Sequence, residues 1–206
     1  MNQSETLADY LERLASAEPT PGGGAAAAVT GAQAAALLQM VCMLSTGEKF
    51  AAHQETIDTL RDQLTASRLT FLNLKAEDEA AFNDLMSSYK LPKSNEDEKA
   101  VRLAKIREAL YLAAKAPMKM IEETLRILPA TTRLIHIGNR NLITDVGVGV
   151  YLLDATIQSA RLNVLINTRL VDNPIFDTEC RKVIATAEDI MQKHKHEVSQ
   201  VMESFL

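Results

Sequence analysis

From Pro19 to Gly47 the chain carries no charged residue. Inside that run, Ala25 to Leu44 is a stretch of 20 residues without proline and with one glycine, Gly31. It reads as one continuous helix, close to the length that crosses a bilayer. An uncharged helix this long is buried in lipid or inside protein. This one is built on Ala, has Gly31, Gln33 and Gln39 within it, and is followed by no second span. It is therefore expected to be the central buried helix of a protein with no membrane partner.

A helix of this kind needs other elements to cover it, and the remaining sequence favours helices. Ala and Leu supply 54 of the 206 residues, Gly and Pro only 14, and there is no Trp. Ala and Leu lose little freedom in a helical turn, whereas sheets draw on β-branched and aromatic side chains. The expected fold class is all-α, an antiparallel bundle of long helices forming a single domain over residues 1–206. Helices are expected from about Thr6 to Ser16, Ala25 to Leu44, Lys49 to Tyr89, and Ser94 to Leu128 with a kink at Pro117. A short helix after Pro129 reaches Ile137, and the last two run from about Leu142 to Val171 and from Ile175 to Ser204. Pro19-Thr20-Pro21-Gly22-Gly23-Gly24, Gly138-Asn139-Arg140-Asn141 and Asp172-Asn173-Pro174 are the turns.

The net charge of -5, with no basic cluster, argues against a nucleic-acid partner. Cys42 and Cys180 are far apart in sequence and form no Cys-x-x-Cys, so neither a disulfide framework nor a zinc site is indicated. The amphipathic, acidic first segment lacks the basic start of a secretory signal. A reducing, cytoplasmic setting is expected. His194 and His196 face apart on a helix, and His53 and His136 have no carboxylate or Cys at ligand spacing, so no metal site is expected.

Two helices carry polar groups on apolar faces. In the third, Ile57, Leu60, Leu64, Phe71, Phe82, Leu85 and Tyr89 form a stripe that includes Asp78. A carboxylate aimed at a core needs a partner, a raised pKa or a water-filled cleft. Lys75, one turn earlier, offers an ion pair as the purely structural alternative. In the helix after Asn141, Asp145, Asn163 and Asn167 share one line on an otherwise apolar element. They read either as a ligand groove or as a hydrogen-bond ladder at a helix seam. The glycines at 22–24 let a ligand approach backbone N–H groups at a helix start, or serve simply as a turn.

Taken in order, Pro19 to Ala27, Gly47-Glu48-Lys49-Phe50, Asp78-Glu79-Ala80-Ala81-Phe82, Leu91-Pro92-Lys93, Ala116-Pro117, Gly138 to Asn141 with Asp145, and Asn163-Val164 resemble the cyclodeaminase/cyclohydrolase family. That family includes the C-terminal domain of formiminotransferase-cyclodeaminase and stand-alone methenyltetrahydrofolate cyclohydrolases. Ala25 stands where many relatives carry Ser. The resemblance implies an all-helical homodimer that binds a tetrahydrofolate derivative and acts on its N5–N10 bridge, with no other cofactor. Formiminotetrahydrofolate cyclodeaminase is the leading expectation, methenyltetrahydrofolate cyclohydrolase the alternative, and a non-catalytic folate-binding dimer the third. With no formiminotransferase segment, the chain is not expected to make its own formimino substrate. In this reading Asp78, Asp145 and Lys49 are the catalytic candidates. Gly22, Gly23, Gly24, Lys93, Asn139, Arg140, Asn141 and Asn163 are the substrate-binding candidates, Lys93 and Arg140 being assigned to the glutamate tail. The Gly-rich turn, Asp78 and the Asn139–Asp145 segment are expected to meet in one cleft.

Overall fold

The computed structural model describes residues 5–204. Its α-helices are α1 (Leu7–Leu14), α2 (Gly23–Met43), α3 (Gln54–Tyr89), α4 (Glu96–Ala113), α5 (Lys115–Ile137), α6 (Ile143–Val171) and α7 (Pro174–Glu203). Short 3-10 turns occupy Glu48–His53 and Arg140–Leu142. The described residues contain no strand, and the six long helices form the expected bundle.

Helix ends follow local chemistry. Thr6 and Asp9 cap α1 reciprocally, the Asp9 N–H donating to Thr6 Oγ1 at 3.1 Å and the Thr6 N–H to Asp9 Oδ2 at 2.9 Å. Asn95 accepts the Glu98 N–H at 2.8 Å to start α4, and Asn173 accepts the Phe176 N–H at 3.2 Å to start α7, with Pro174 in its first turn.

The uncharged helix α2 packs against α3, α6 and α5. It is long and apolar enough to cross a membrane, and half of its apolar window is buried in this protein. Its small residues allow close approach. A Cβ added to Gly31 would lie 2.6 Å from the Phe71 ring, and one added to Gly149 of α6 would lie 2.8 Å from Leu38 of α2. These contacts also define the registers. Gly24 meets Asp78 and Gly31 meets Phe71, while Gly23 meets Asn163 and Leu38 meets Gly149. Both neighbours thus run antiparallel to α2. Leu38, Leu64, Phe71, Met120, Ile121, Ile127, Leu153 and Ile157 fill the space between them, fully buried.

Three boundaries differ from the sequence expectation. The predicted kink at Pro117 is instead a break at Ala114, and Pro117 falls in the first turn of α5, where no intrahelical N–H bond is lost. The predicted break at Pro129 is absent, because α5 continues through it. Gln63 Nε2 of α3 donates to the Arg126 carbonyl at 3.0 Å, next to the Leu125 carbonyl that the proline leaves without its helical N–H partner. The third long helix begins at Gln54 rather than Lys49, after a 3-10 turn that buries Phe50.

Candidate functional site

Helix α2 begins without a side-chain cap of its own. Gly22, in extended conformation, precedes it, and the first-turn N–H groups of any helix lack intrahelical acceptors. Asp78 of α3 takes up one of them, its carboxylate accepting the Ala25 N–H. It lies directly on Gly24, in the space that any side chain there would occupy. On the other flank the side-chain amide of Asn163 of α6 packs on Gly23, both of its terminal atoms 3.6 Å from the position of a Cβ. Asn163 Nδ2 donates to the Ser159 carbonyl at 2.9 Å, and Asn167 Nδ2 donates to the Asn163 carbonyl at 2.8 Å. Gly22, Gly23, Gly24, Asp78 and Asn163 therefore share one site at the N-terminal end of α2.

Asp78 is half-buried. Desolvation, and then the negative charge of Glu79, push its pKa up to about 6, and the Ala25 N–H only partly opposes them. Lys75 is not its ion-pair partner. Lys75 meets Glu79 at 3.0 Å and Glu5 at 3.3 Å, so the structural alternative for Asp78 is not realised.

The second set of candidates lies at the opposite end of α2. The Asn139 N–H donates to Ser45 Oγ at 2.8 Å, Asn139 Nδ2 donates to the Leu44 carbonyl at 3.0 Å, and the Asn141 N–H donates to Asn139 Oδ1 at 3.1 Å. Arg140 and Asn141 are exposed in the same turn, and Asp145 follows, half-buried, in the first turn of α6. Exposed Lys49 sits just beyond α2 with its ammonium 5.4 Å over the Phe50 ring.

Within one protomer these two sets do not meet. Asn163 flanks Gly23, and Asp145 precedes it by 18 residues of continuous helix, which is about 27 Å at the helical rise. The expected cleft is therefore not formed by a single protomer: α2 and α6 are spacers that hold Asp78 and Asp145 at opposite ends. Lys93 is exposed in the loop beyond the C-terminus of α3. A groove of about 550 Å³ between α3 and α4 is lined by Ala80, Ala81, Asp84, Lys105, Glu108 and Leu112 among others, and includes neither Asp78 nor the glycines.

Sequence reasoning missed the contribution of α1. Glu5, Tyr10 and Arg13 reach the Lys75 and Glu79 side chains beside Asp78. The only signal was the amphipathic pattern of α1, which does not specify where the helix docks.

Chemically, the glycine end offers a carboxyl group that titrates near neutrality beside backbone N–H donors. That combination serves proton transfer and stabilisation of a developing negative charge. The described residues contain no group of three His, Cys, Asp or Glu side chains able to hold a metal ion.

Comparison with known proteins assigns the family. The formiminotransferase-cyclodeaminase family model matches residues 6–186. The chain belongs to this family. Among relatives of the formiminotransferase-cyclodeaminase family, a methenyltetrahydrofolate cyclohydrolase from Methylorubrum extorquens is 38% identical over 87% of this chain and 86% of its own length. The mouse formimidoyltransferase-cyclodeaminase is 28% identical over 97% of this chain, which spans only 36% of that longer protein. The crystal structure of formiminotetrahydrofolate cyclodeaminase from Thermotoga maritima superposes with a TM-score of 0.87 at 27% identity, covering 98% of each chain.

Proposed function

We propose that this member of the family acts on the N5–N10 bridge of tetrahydrofolate as a methenyltetrahydrofolate cyclohydrolase. The observation that carries this choice is the 38% identity to the Methylorubrum cyclohydrolase across nearly the full length of both chains. In this reaction water adds to the methenyl carbon, and a tetrahedral carbinolamine forms as the water loses a proton. The bond from carbon to N5 then breaks as the carbinolamine hydroxyl gives up its proton and N5 takes one up, so that 10-formyltetrahydrofolate results with net release of a proton. These proton movements suit one carboxyl group titrating near neutral pH. Asp78 supplies it, and the N–H groups of the glycine turn face the oxygen that develops charge.

Formimino cyclodeamination is the second reading, favoured by the full-length likeness to the Thermotoga cyclodeaminase. There N10 attacks the formimino carbon, ammonia leaves, and the same bridge closes. The two readings separate in an absorbance assay at the methenyl-folate band. Loss of absorbance from methenyl substrate supports the hydrolase, and gain from formimino substrate supports the deaminase.

The working unit in this proposal is a homodimer. The outer strip of α2 has no charge, and Met43 and Leu44 at its end are 55% and 52% exposed. Neighbouring α6 leaves Tyr151 and Leu162 57% and 62% exposed. Apolar strips on two adjacent helices are suited to a second copy of the same surface. A two-fold axis across the middle of α2 brings the glycine end of one copy to the Asn139 end of the other. Asp78, Asn163 and the glycines of one protomer then face Lys49, Asn139, Arg140, Asn141 and Asp145 of the second. In that arrangement Asp145 and Asn139 orient the pterin, and Lys49 and Arg140 supply positive charge toward the glutamate portion.

A further inference from the structure

Next to Asp78, α1 with the residue before its cap, Glu5, and α3 close a ring of four alternating charges. Arg13 Nη1 lies 2.6 Å from Glu5 Oε1, Glu5 Oε2 lies 3.3 Å from Lys75 Nζ, Lys75 Nζ lies 3.0 Å from Glu79 Oε1, and Glu79 Oε2 lies 3.8 Å from Arg13 Nη2. The side chains of Lys75 and Glu79 are only 17% and 18% exposed. Tyr10 packs its ring 5.0 Å from Lys75 Nζ, with its hydroxyl buried and unpartnered. Arg13 Nη2 also reaches the Thr20 carbonyl at 3.5 Å, in the turn that leads to the glycines.

Exposed ion pairs contribute little to stability, because water screens them and ordering long side chains costs entropy. The location of this ring is more informative than its energy. Glu79 immediately follows Asp78 in α3 and is the charge that acts on it. Two cations of the ring, Lys75 and Arg13, hold Glu79.

We propose that Glu79, fixed in this ring by Lys75 and Arg13, is a positioning residue for Asp78, so that α1 belongs to the active-site machinery. The proposal rests on Asp78 being the proton carrier of the reaction proposed above. From α2, Asp78 is faced by Gly24 and the Ala25 N–H, neither of which titrates. The charged and titratable groups beside it are Lys75 and Glu79 on α3, Tyr10 and Arg13 on α1, and Glu5 just before α1. Neutralising Glu79 removes a negative charge that opposes ionisation of Asp78. Neutralising Lys75 or Arg13 leaves that negative charge less compensated. The two kinds of change therefore act on Asp78 in opposite directions. A scaffold that merely loosened would admit water to Asp78 in every variant and move its titration downward each time.

The test follows the Asp78 carboxyl carbon by NMR in full-length protein labelled with carbon-13 aspartate, the signal being identified by its loss in Asp78→Asn. Glu79→Gln is expected to lower the Asp78 titration midpoint by about half a pH unit or more, and Lys75→Met to raise it by a similar amount. Arg13→Met, at the more exposed corner, should raise it too. The acid limb of the turnover profile should follow the midpoint in each case. Midpoints that stay at the wild-type value, or that move the same way in Glu79→Gln and Lys75→Met, overturn the role of the ring even if Asp78→Asn is inactive. Full turnover by Asp78→Asn overturns the underlying proton-carrier reading, and the functional role of the ring with it.

Discussion

At Asp78 the demands of folding and of chemistry have opposite signs. Its pKa in the folded protein is pushed from 3.8 up to about 6. A raised carboxyl pKa means that the folded state binds the proton more tightly than the unfolded chain does. Stability is therefore unaffected below about pH 4 and falls as pH rises through the window up to 6, with a full penalty of about 1–3 kcal/mol above it. Asp78→Asn keeps an acceptor for the Ala25 N–H and removes the ionisable group. Urea melts should find the variant more stable than wild type at pH 8 by about 1–3 kcal/mol, with the difference closing at pH 4. Turnover should fall by about 100-fold or more, the usual worth of a positioned acid–base group. A variant less stable than wild type at pH 8 would make Asp78 a helix cap and nothing more. For wild type, the hydrolase reading needs Asp78 ionised to accept the proton of water. Initial rates measured across pH should therefore rise through a limb near 6.

Between helices, glycine is used for two different purposes. A methyl group added at Gly31 would meet the Phe71 ring at 2.6 to 2.8 Å, and a buried ring between α2 and α3 has no alternative position. At Gly147 the obstacle is only the thioether end of Met202, a flexible chain that can rotate away. Gly31→Ala should destabilise by about 1–3 kcal/mol through overpacking, whereas Gly147→Ala should cost under about 1 kcal/mol and gain some helix propensity. Thermal melts of the two variants side by side check the difference. Element positions were largely legible from the chain, because caps such as Asn95 and Asn173 and the apolar stripes are local signals. The Pro117 and Pro129 boundaries were not. Whether a proline breaks a helix depends on how many N–H bonds it removes and on donors arriving from elsewhere, such as Gln63 from α3. The site was half legible for the same reason. The misplaced carboxylate at 78 is visible as a break in a stripe, but its docking on Gly24 and its Glu79–Lys75–Glu5–Arg13 surroundings arise from tertiary packing. The expected cleft joining Asp78 to Asp145 does not form within one protomer, because a sequence pattern shows that two groups face inward without showing that a helix holds them apart.

At the scale of the whole molecule, the separation of the two site halves becomes a prediction about assembly. One protomer holds Asp78 and Asp145 at opposite ends of a rigid antiparallel pair, α2 and α6. An isologous dimer about an axis across α2 pairs each Asp78 with the Asp145 of the other copy and creates two equivalent sites. Sedimentation at micromolar concentration should accordingly find a dimer, but subunit mixing is the sharper experiment. Asp78→Asn and Asp145→Asn should each be inactive as homodimers. If the two proteins are unfolded together and refolded in equal amounts, half of the dimers are mixed, and each mixed dimer contains one site with both carboxylates and one with neither. About a quarter of wild-type activity should return. A double variant carrying both substitutions in one chain, refolded with wild type, supplies the control: its mixed dimers have one defective carboxylate in every site and contribute nothing, so activity there comes only from wild-type homodimers and is again about a quarter. Sites contained within single protomers give a different pair of values, none from the first mixture and about a half from the second, because every wild-type subunit then keeps its own complete site.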